Sequence, residues 1–491
     1  MVDAWTIGKR RLVLAFGLGA VAALGQAPLG FWWATIAAFA GLIWLLDRVP
    51  DRRGAFWTGL FAGAGHFALA LNWIIEPFLI DIARQGWMAP FAVVLLSFGL
   101  GLFWAGAAVA ARLLPDRSLG FVVTFVGFEW LRGVVLTGFP WAMAGHVWIG
   151  TPVDQLAALG GPSLLSLLTL VAAWLPVRWR RSGAAASVVL LVAGLTFGLQ
   201  RLAQPLPEPG GPTLRLVQPN AAQAAKWDPE RARDFLDRLL TLTAKDGPAD
   251  LTIWPETSVP YMLEYAPEVA GMVVAASGGR PVAVGIQRAD GDRFFNSLRV
   301  LEGEGLETAR YDKAHLVPFG EYIPFGDLAY RWFGLRAFAA QAGNSYSSGP
   351  GPQVLDLGRF GKVLPLICYE AIFPREVNAM PERADWMLQV TNDAWFGKLT
   401  GPFQHFAQAR LRAVEQGLPL IRVANTGVTA VVDARGRVVA DLPFGEMAAL
   451  DTRIPGALPP TPYTRLGDLP VLLLLAGLAA LALAIRRKAP H

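Results

Sequence analysis

The chain has 491 residues, 54% of them hydrophobic, including 18 Trp and 28 Phe, with a mean hydropathy of +0.40. Ordinary soluble domains are about 45–50% apolar even with Gly counted, so the composition excludes a plain soluble enzyme and makes a membrane protein the default. The net charge of +5 would permit nucleic-acid binding, but Lys and Arg fall in short clusters beside apolar segments, and a single cysteine cannot form an internal disulfide.

Apolar segments lie near 12–28, 30–47, 55–76, 88–113, 119–138, 161–177, 185–201 and 469–485. Each has the length needed to cross roughly 30 Å of hydrocarbon, which makes about eight spans. Lys9, Arg10 and Arg11 before the first would suit a secretory signal, but a second span follows at once without a convincing cleavage site, so it is read as retained. The basic residues Lys9–Arg11, Arg48, Arg52, Arg53, Arg112, Arg117, Arg178, Arg180, Arg181 and Arg486–Lys488 all fall on one side of this pattern. The opposite loops are nearly free of them, Arg84 being the main exception, so both termini are expected in the cytoplasm and the long segment between the last two spans is expected to be exported. Within the fifth span, Glu129 and Arg132 are three apart on one helical face, where an unpaired charge costs about 2.5–3.5 kcal/mol or more. A mutual pair and a lipid-headgroup contact are both open readings.

From the linker QPLPEPGGP onward the pattern changes to short β-rich runs alternating with helical stretches. The β-rich runs are TLRLVQPN, ADLTIWPE, RPVAVGIQ, RFFNSLRVLE, KVLPLICYE, ADWMLQVTND and a closing pair, IRVANTGVTAVVD and RVVADLP; PERARDFLDRLLTLTA and HFAQARLRAVEQG read as helices. This alternation predicts an α/β domain with a covered sheet over 205–465, between a membrane region over 1–204 and a final span with its tail over 466–491.

Three residues stand where strands end: Glu256 after LTIW, Lys313 in YDKAHLVPFGEYIP, and Cys368 closing VLPLIC. Loops at strand ends are where α/β folds collect ligand and catalytic groups. Taken singly, Glu256 also fits a turn carboxylate, Lys313 a solvated lysine, and Cys368 a small core hydrophobe. Taken together they suit nucleophilic acyl chemistry. A thiol is mostly protonated at neutral pH and needs a base, which Glu256 supplies, while the Lys313 ammonium and the Tyr369 N–H can stabilise an oxyanion. Glu321 and Glu370 can orient the lysine, move a proton, or simply hold structural hydrogen bonds. There is no G-x-S-x-G elbow, H-E-x-x-H pair, P-loop or dinucleotide fingerprint, and the five histidines are scattered, so a Ser-His triad, a metal site and an ATP-driven transporter are poorly supported.

The WPE, YDKAHLVPFGEYIP and ICYE stretches resemble the Glu-Lys-Cys motifs of the nitrilase superfamily. With the flanking spans and the stretches QPNAAQAAKWDP, TNDAWFG, GPFQHFAQARLRA and ANTGVTAVVD, the whole chain is similar to the apolipoprotein N-acyltransferase family. That resemblance implies an α-helical transmembrane bundle plus an exported nitrilase-like αββα sandwich. It implies Glu256 as general base, Lys313 as oxyanion stabiliser and Cys368 as nucleophile, with Glu321, Tyr369, Glu370 and Trp227 in support. No cofactor or metal is implied. The partners would be a phospholipid acyl donor and a diacylglyceryl apolipoprotein acceptor, with no nucleic acid, and the protein would act as a monomer in a bacterial inner membrane. Phe319, Trp332 and Phe333 are candidates for guiding acyl chains or for core packing. Two competing classes stay open: a membrane-tethered amidase using the same triad on a small soluble amide, and a transporter with an exported binding domain, for which Glu129, Arg132 and Glu76 are nearly the whole supply of intramembrane charge.

Overall fold

A computed structural model describes residues 4–222, 229–259, 261–324 and 345–484. They divide into two compact units, one holding the chain up to Pro205, Leu399–Leu411 and the chain from Pro460, the other holding Leu206–Lys398 and Arg412–Pro459. Trp227, Trp332 and Phe333 lie outside the described residues.

The first unit is helical. Its principal helices are Ala4–Ala23, Trp32–Asp47, Arg52–Ala70, Ala89–Ala110, Arg117–Arg132, Ala157–Ala203 and Leu469–Ala484. Asp51 and Asp116 cap two of them, their carboxylates accepting the otherwise unpaired N–H groups of Gly54 and of Ser118 and Leu119. Between Arg52–Ala70 and Ala89–Ala110 the backbones approach so closely that a Cβ on Gly63 would sit 2.6 Å from the Cα of Gly101, the small-residue packing that apolar helices use where burial alone gives no preference. Ala157–Ala203 is broken at Trp179 and Arg180, the latter at φ 50°, and its two arms fold back so that Ser187 Oγ donates to Ala172 O at 2.9 Å. Two described stretches, Ile82–Leu113 and Pro152–Ala203, are long and apolar enough to cross a membrane, and the pair Arg52–Ala70 and Asn72–Leu79, bent by 66°, makes a third if taken as one span. Trp32–Asp47 and Leu469–Ala484 are apolar but shorter. The helix expected to run to 138 stops at Arg132, where Gly133 caps it. There Arg132 and Glu129 are buried and pair at 3.9 Å; the guanidinium also donates to Phe139 O and Trp141 O, and the carboxylate accepts from Ala144 N.

The second unit is built on twelve strands: β1 Gly210–Gln218, β2 Leu251–Ile253, β3 Val282–Asp290, β4 Arg293–Glu302, β5 Leu306–Asp312, β6 Leu355–Asp356, β7 Lys362–Ile367, β8 Trp386–Thr391, β9 Leu420–Ala424, β10 Thr429–Val432, β11 Val438–Leu442 and β12 Ala448–Ile454. They form two six-stranded sheets in the orders β12-β1-β2-β3-β4-β5 and β11-β10-β9-β8-β7-β6. The central strands β1, β2 and β3, and likewise β7, β8 and β9, are parallel, and their near-continuous apolar runs follow from burial on both faces. Leu214, Leu216, Ile253 and Leu298 of the first sheet share one core with Ile367, Leu388, Val390 and Val423 of the second. The other face of the first sheet, through Val217, Val282 and Val284, packs against Leu236 and Leu239 of helix Pro229–Thr243 and Val273 and Val274 of helix Pro267–Ala276. This is a two-sheet sandwich with helices on its outside. The run IRVANTGVTAVVD is two strands, β9 and β10, joined by a turn. Strands β5, β6 and β12 were not expected. They are sheet edges, and the mixed exposure of LETARYD and AALDTRI leaves little apolar signal.

Because Leu388 is fully buried between the sheets, Leu388→Ala should cost about 2–5 kcal/mol. The expected readout is a clear fall in the thermal midpoint of the purified protein, with a surface change such as Leu306→Ala producing almost none.

Candidate active site

Three strand ends of the sandwich carry the site. Glu256 lies just beyond β2, Lys313 directly follows β5, and Cys368 directly follows β7 as the first residue of a short turn of helix, Cys368–Ile372. The first two come from one sheet and the third from the other, so the face-to-face packing is what makes them neighbours. Glu256 reaches its place because Gly285 on β3 has no side chain; a Cβ there would sit 2.3 Å from Pro255 O and 2.6 Å from Glu256 Cα. Cys368 adopts φ 53°, left-handed backbone that non-Gly residues rarely hold and that costs of order 1–3 kcal/mol.

All three are buried, Lys313 to 1% exposure. Lys313 Nζ donates to Glu321 Oε1 at 3.0 Å, lies 2.9 Å from Glu321 Oε2, and lies 3.9 Å from Glu256 Oε1. Glu256 Oε1 accepts from Asn296 Nδ2 at 2.7 Å, and its Oε2 accepts the backbone N–H of Asn392, just after β8, at 2.8 Å. Glu321 accepts in addition from Asn296 Nδ2 at 3.1 Å and from Val317 N at 2.8 Å. Burial by itself would lower the Lys313 pKa, but the carboxylates of Glu321 and Glu256 outweigh it and hold the ammonium above the ordinary lysine value. Burial, and then the negative charge of Glu256, push the Cys368 thiol well above its ordinary value, against the smaller opposing pull of Lys313. The resting site is therefore a neutral thiol beside an ion-paired ammonium.

Glu370 sits apart from this cluster. Its Oε1 accepts from Tyr311 Oη at 2.6 Å, Ala314 N at 2.8 Å and His315 N at 3.2 Å, while Oε2 accepts from Ile367 N at 2.6 Å. One carboxylate thus ties the Lys313 loop to the start of the Cys368 turn. Burial raises its pKa despite these donors. The Tyr369 ring is buried edge-on against Phe373, and Phe373 stacks on His315 at 3.8 Å, which adds an apolar clamp between the same two loops. Phe319 is exposed, at φ 63°.

Several contributors were not singled out from sequence. Asn296 holds both carboxylates. Beneath the thiol, Gln389 Nε2 donates to Cys368 O at 3.0 Å, Arg422 Nε donates to Gln389 Oε1 at 2.9 Å, and Arg422 Nη2 grips both oxygens of Asp393 at 3.0 and 2.8 Å, all of it buried. Their signal was a polar residue inside an apolar strand run, as in FFNSL, MLQV and LIRV. Among the described residues no group of three or more His, Cys, Asp and Glu could hold a metal ion.

Because Cys368 is the chain's single thiol, alkylation reports on it alone. The rate of reaction with iodoacetamide should rise with pH at a midpoint above about 8.5, the value for an ordinary cysteine. Removing a neighbouring negative charge favours thiolate, so Glu256→Gln should move the midpoint down; Lys313→Met should move it up. Rate profiles that overlay across the three proteins would contradict this electrostatic account.

The Apolipoprotein N-acyltransferase N-terminal domain family matches residues 18–175, and the Carbon-nitrogen hydrolase family matches residues 213–457. An apolipoprotein N-acyltransferase of Caulobacter vibrioides is 39% identical over 96% of this chain and 95% of its own length. One of Sinorhizobium medicae is 40% identical over 92% of this chain and 91% of its own. A CN-hydrolase superfamily protein of Xanthomonas campestris, 22% identical, aligns over 50% of this chain and 91% of its own with a TM-score of 0.38. With identity at this level running nearly end to end, and both families matched in order along the sequence, the chain belongs to the apolipoprotein N-acyltransferase family.

Proposed function

We propose that this enzyme transfers a fatty acyl chain from a phospholipid to the free α-amino group of the diacylglyceryl-cysteine of an apolipoprotein, through a thioester on Cys368. The observation that carries this reading is the buried Glu256–Lys313–Glu321 cluster facing the lone thiol's turn in a chain whose relatives bear that name. A thiol with a raised pKa requires a base at the moment of attack. Glu256 takes the thiol proton, the sulfur adds to the ester carbonyl carbon, and the Lys313 ammonium and the Tyr369 N–H stabilise the oxyanion. Glu256 then returns the proton to the departing lysophospholipid hydroxyl. In the second half the amine adds to the thioester carbon, one of its protons passes through Glu256 to the departing Cys368 sulfur as the C–S bond breaks, and the amide leaves with the thiol restored. Glu321 keeps Lys313 in place, Glu370 holds the two loops in register, and Trp227 is assigned to the acyl-chain surroundings on family resemblance alone.

Lipid-anchored substrates explain why the sandwich is carried on apolar helices. The reading includes about eight spans, with 1–204 and 466–491 forming the membrane regions. It places both termini in the cytoplasm and 205–465 in the periplasm of an inner membrane, with the protein acting as a monomer. The support is the one-sided distribution of Lys and Arg. An amidase would use the same residues with water as acceptor; the match over residues 18–175 favours the lipid reading.

Incubation with acyl-labelled phospholipid should leave a hydroxylamine-sensitive label on the protein, and Cys368→Ala should abolish both label and transfer without unfolding the chain. Glu256→Gln should slow label formation by about a hundredfold to ten-thousandfold. Undiminished labelling in either variant would remove that residue from its role. For the topology, a membrane-impermeant maleimide should reach Cys368 in spheroplasts with intact inner membranes; labelling that requires permeabilisation would invert the orientation.

A further inference from the structure

Asn296 lies on β4 on the same face as Leu298 and Val300, two and four residues on, which pack into the core between the sheets. Its side chain is 3% exposed. Nδ2 donates to Glu256 Oε1 at 2.7 Å and to Glu321 Oε1 at 3.1 Å, and its backbone carbonyl accepts from Lys313 N at 2.8 Å. Carboxylates only accept, so the two side-chain bonds decide which end of the amide is nitrogen. The other end, Oδ1, is buried, and among the described residues no donor reaches it. A buried acceptor without a donor is unfavourable and calls for an explanation, and beside a catalytic base a substrate hydrogen supplies one.

We propose that Asn296 Oδ1 accepts the second N–H of the incoming amine, and that this bond makes the acyl-enzyme prefer an amine over a hydroxyl acceptor. The inference rests on the acyl-transfer reading above. A neutral primary amine carries two N–H bonds. As its nitrogen adds to the thioester carbon, the C–N bond forms and the C–S bond breaks. One proton passes to Glu256 and on to the departing Cys368 sulfur, leaving an amide and a thiol. The second hydrogen stays on a nitrogen that gains positive character in the transition state, where an oriented carbonyl is most effective. The Nδ2 bond to Glu256 fixes the rigid amide that carries Oδ1, so an amine nitrogen that shares its first hydrogen with Glu256 lies within the width of one amide of an acceptor for its second. The lysophospholipid hydroxyl, which would reverse the first half-reaction, has one O–H, and Glu256 consumes it. The Asn296 bond is thus made only in the forward step, which biases the partition of the thioester toward amide.

The test uses full-length protein loaded with a labelled acyl group from phospholipid, followed by single-turnover decay of the thioester. One arm adds a diacylglyceryl-cysteine lipopeptide and the other a lysophospholipid. The ratio of amine rate to hydroxyl rate should fall about tenfold or more in Asn296→Ala. It should fall similarly in Asn296→Ser, whose hydroxyl still serves a carboxylate. An unchanged ratio overturns the proposal, and so does loss of thioester formation in both folded variants, since the residue would then belong to the first half-reaction. A measurement on the unmodified enzyme stands independently of the variants: an N-methylated lipopeptide, with one N–H, should accept the acyl group roughly tenfold or more slowly than the primary amine. Equal rates overturn the proposal. Where Asn296→Ala is folded, that penalty should largely disappear. If the unmodified enzyme forms no thioester at all, the acyl-transfer reading itself falls, an outcome distinct from loaded enzyme that lacks the amine preference.

Discussion

A single buried ammonium organises the candidate active site. An isolated charge removed from water costs several kcal/mol even after the protein relaxes, and the cost is recovered only by close, well-oriented counter-charges. Lys313, almost wholly buried, has Glu321 at 2.9 Å and Glu256 at 3.9 Å. Burial, and then the excess negative charge that two carboxylates against one ammonium leave beside it, keep the Cys368 thiol protonated at rest. Asn296 and the Asn392 N–H spread that excess over hydrogen bonds, so both carboxylates can remain buried.

The second requirement is alignment of two sheets, because Glu256 and Lys313 belong to one and Cys368 to the other. Apolar burial brings the sheets together without direction. Directional bonds then set the alignment at the site. Glu370 links Tyr311, Ala314 and His315 on one side to Ile367 on the other, and the Arg422–Gln389 pair fixes the carbonyl of Cys368 from below. A residue held at positive φ needs such support, since its backbone is unfavourable by itself.

The helical unit meets the same electrostatic problem with different means. Glu129 and Arg132 are as deeply buried as the site residues and pair with each other at 3.9 Å, but their hydrogen bonds to backbone groups run to the segment that follows the helix, at Phe139, Trp141 and Ala144. That pairing pins an irregular stretch where the fifth apolar segment stops being helical.

Much of the site is legible in one dimension. Glu256 and Cys368 each end an apolar run, and a polar residue at that point is visible without knowing which strand neighbours which, whereas Lys313 follows the mixed run LETARYD and is picked out by its own stretch, YDKAHLVPFGEYIP. The alternation of strands and helices after residue 205 is visible for the same reason, since burial on both faces of a parallel strand leaves an unbroken apolar stretch. The edge strands β5, β6 and β12 are not, because one-sided exposure dilutes that pattern. Nor is the grouping of Leu399–Leu411 with the helical unit; the break at Trp179 and Arg180, by contrast, falls in the basic gap between the expected spans 161–177 and 185–201. Asn296, Gln389 and Arg422 read along the chain as polar interruptions of strands. Their convergence on two carboxylates and one backbone carbonyl exists only once strands distant in sequence are packed face to face, because a hydrogen bond depends on where its partner sits in space and the order of residues does not record that.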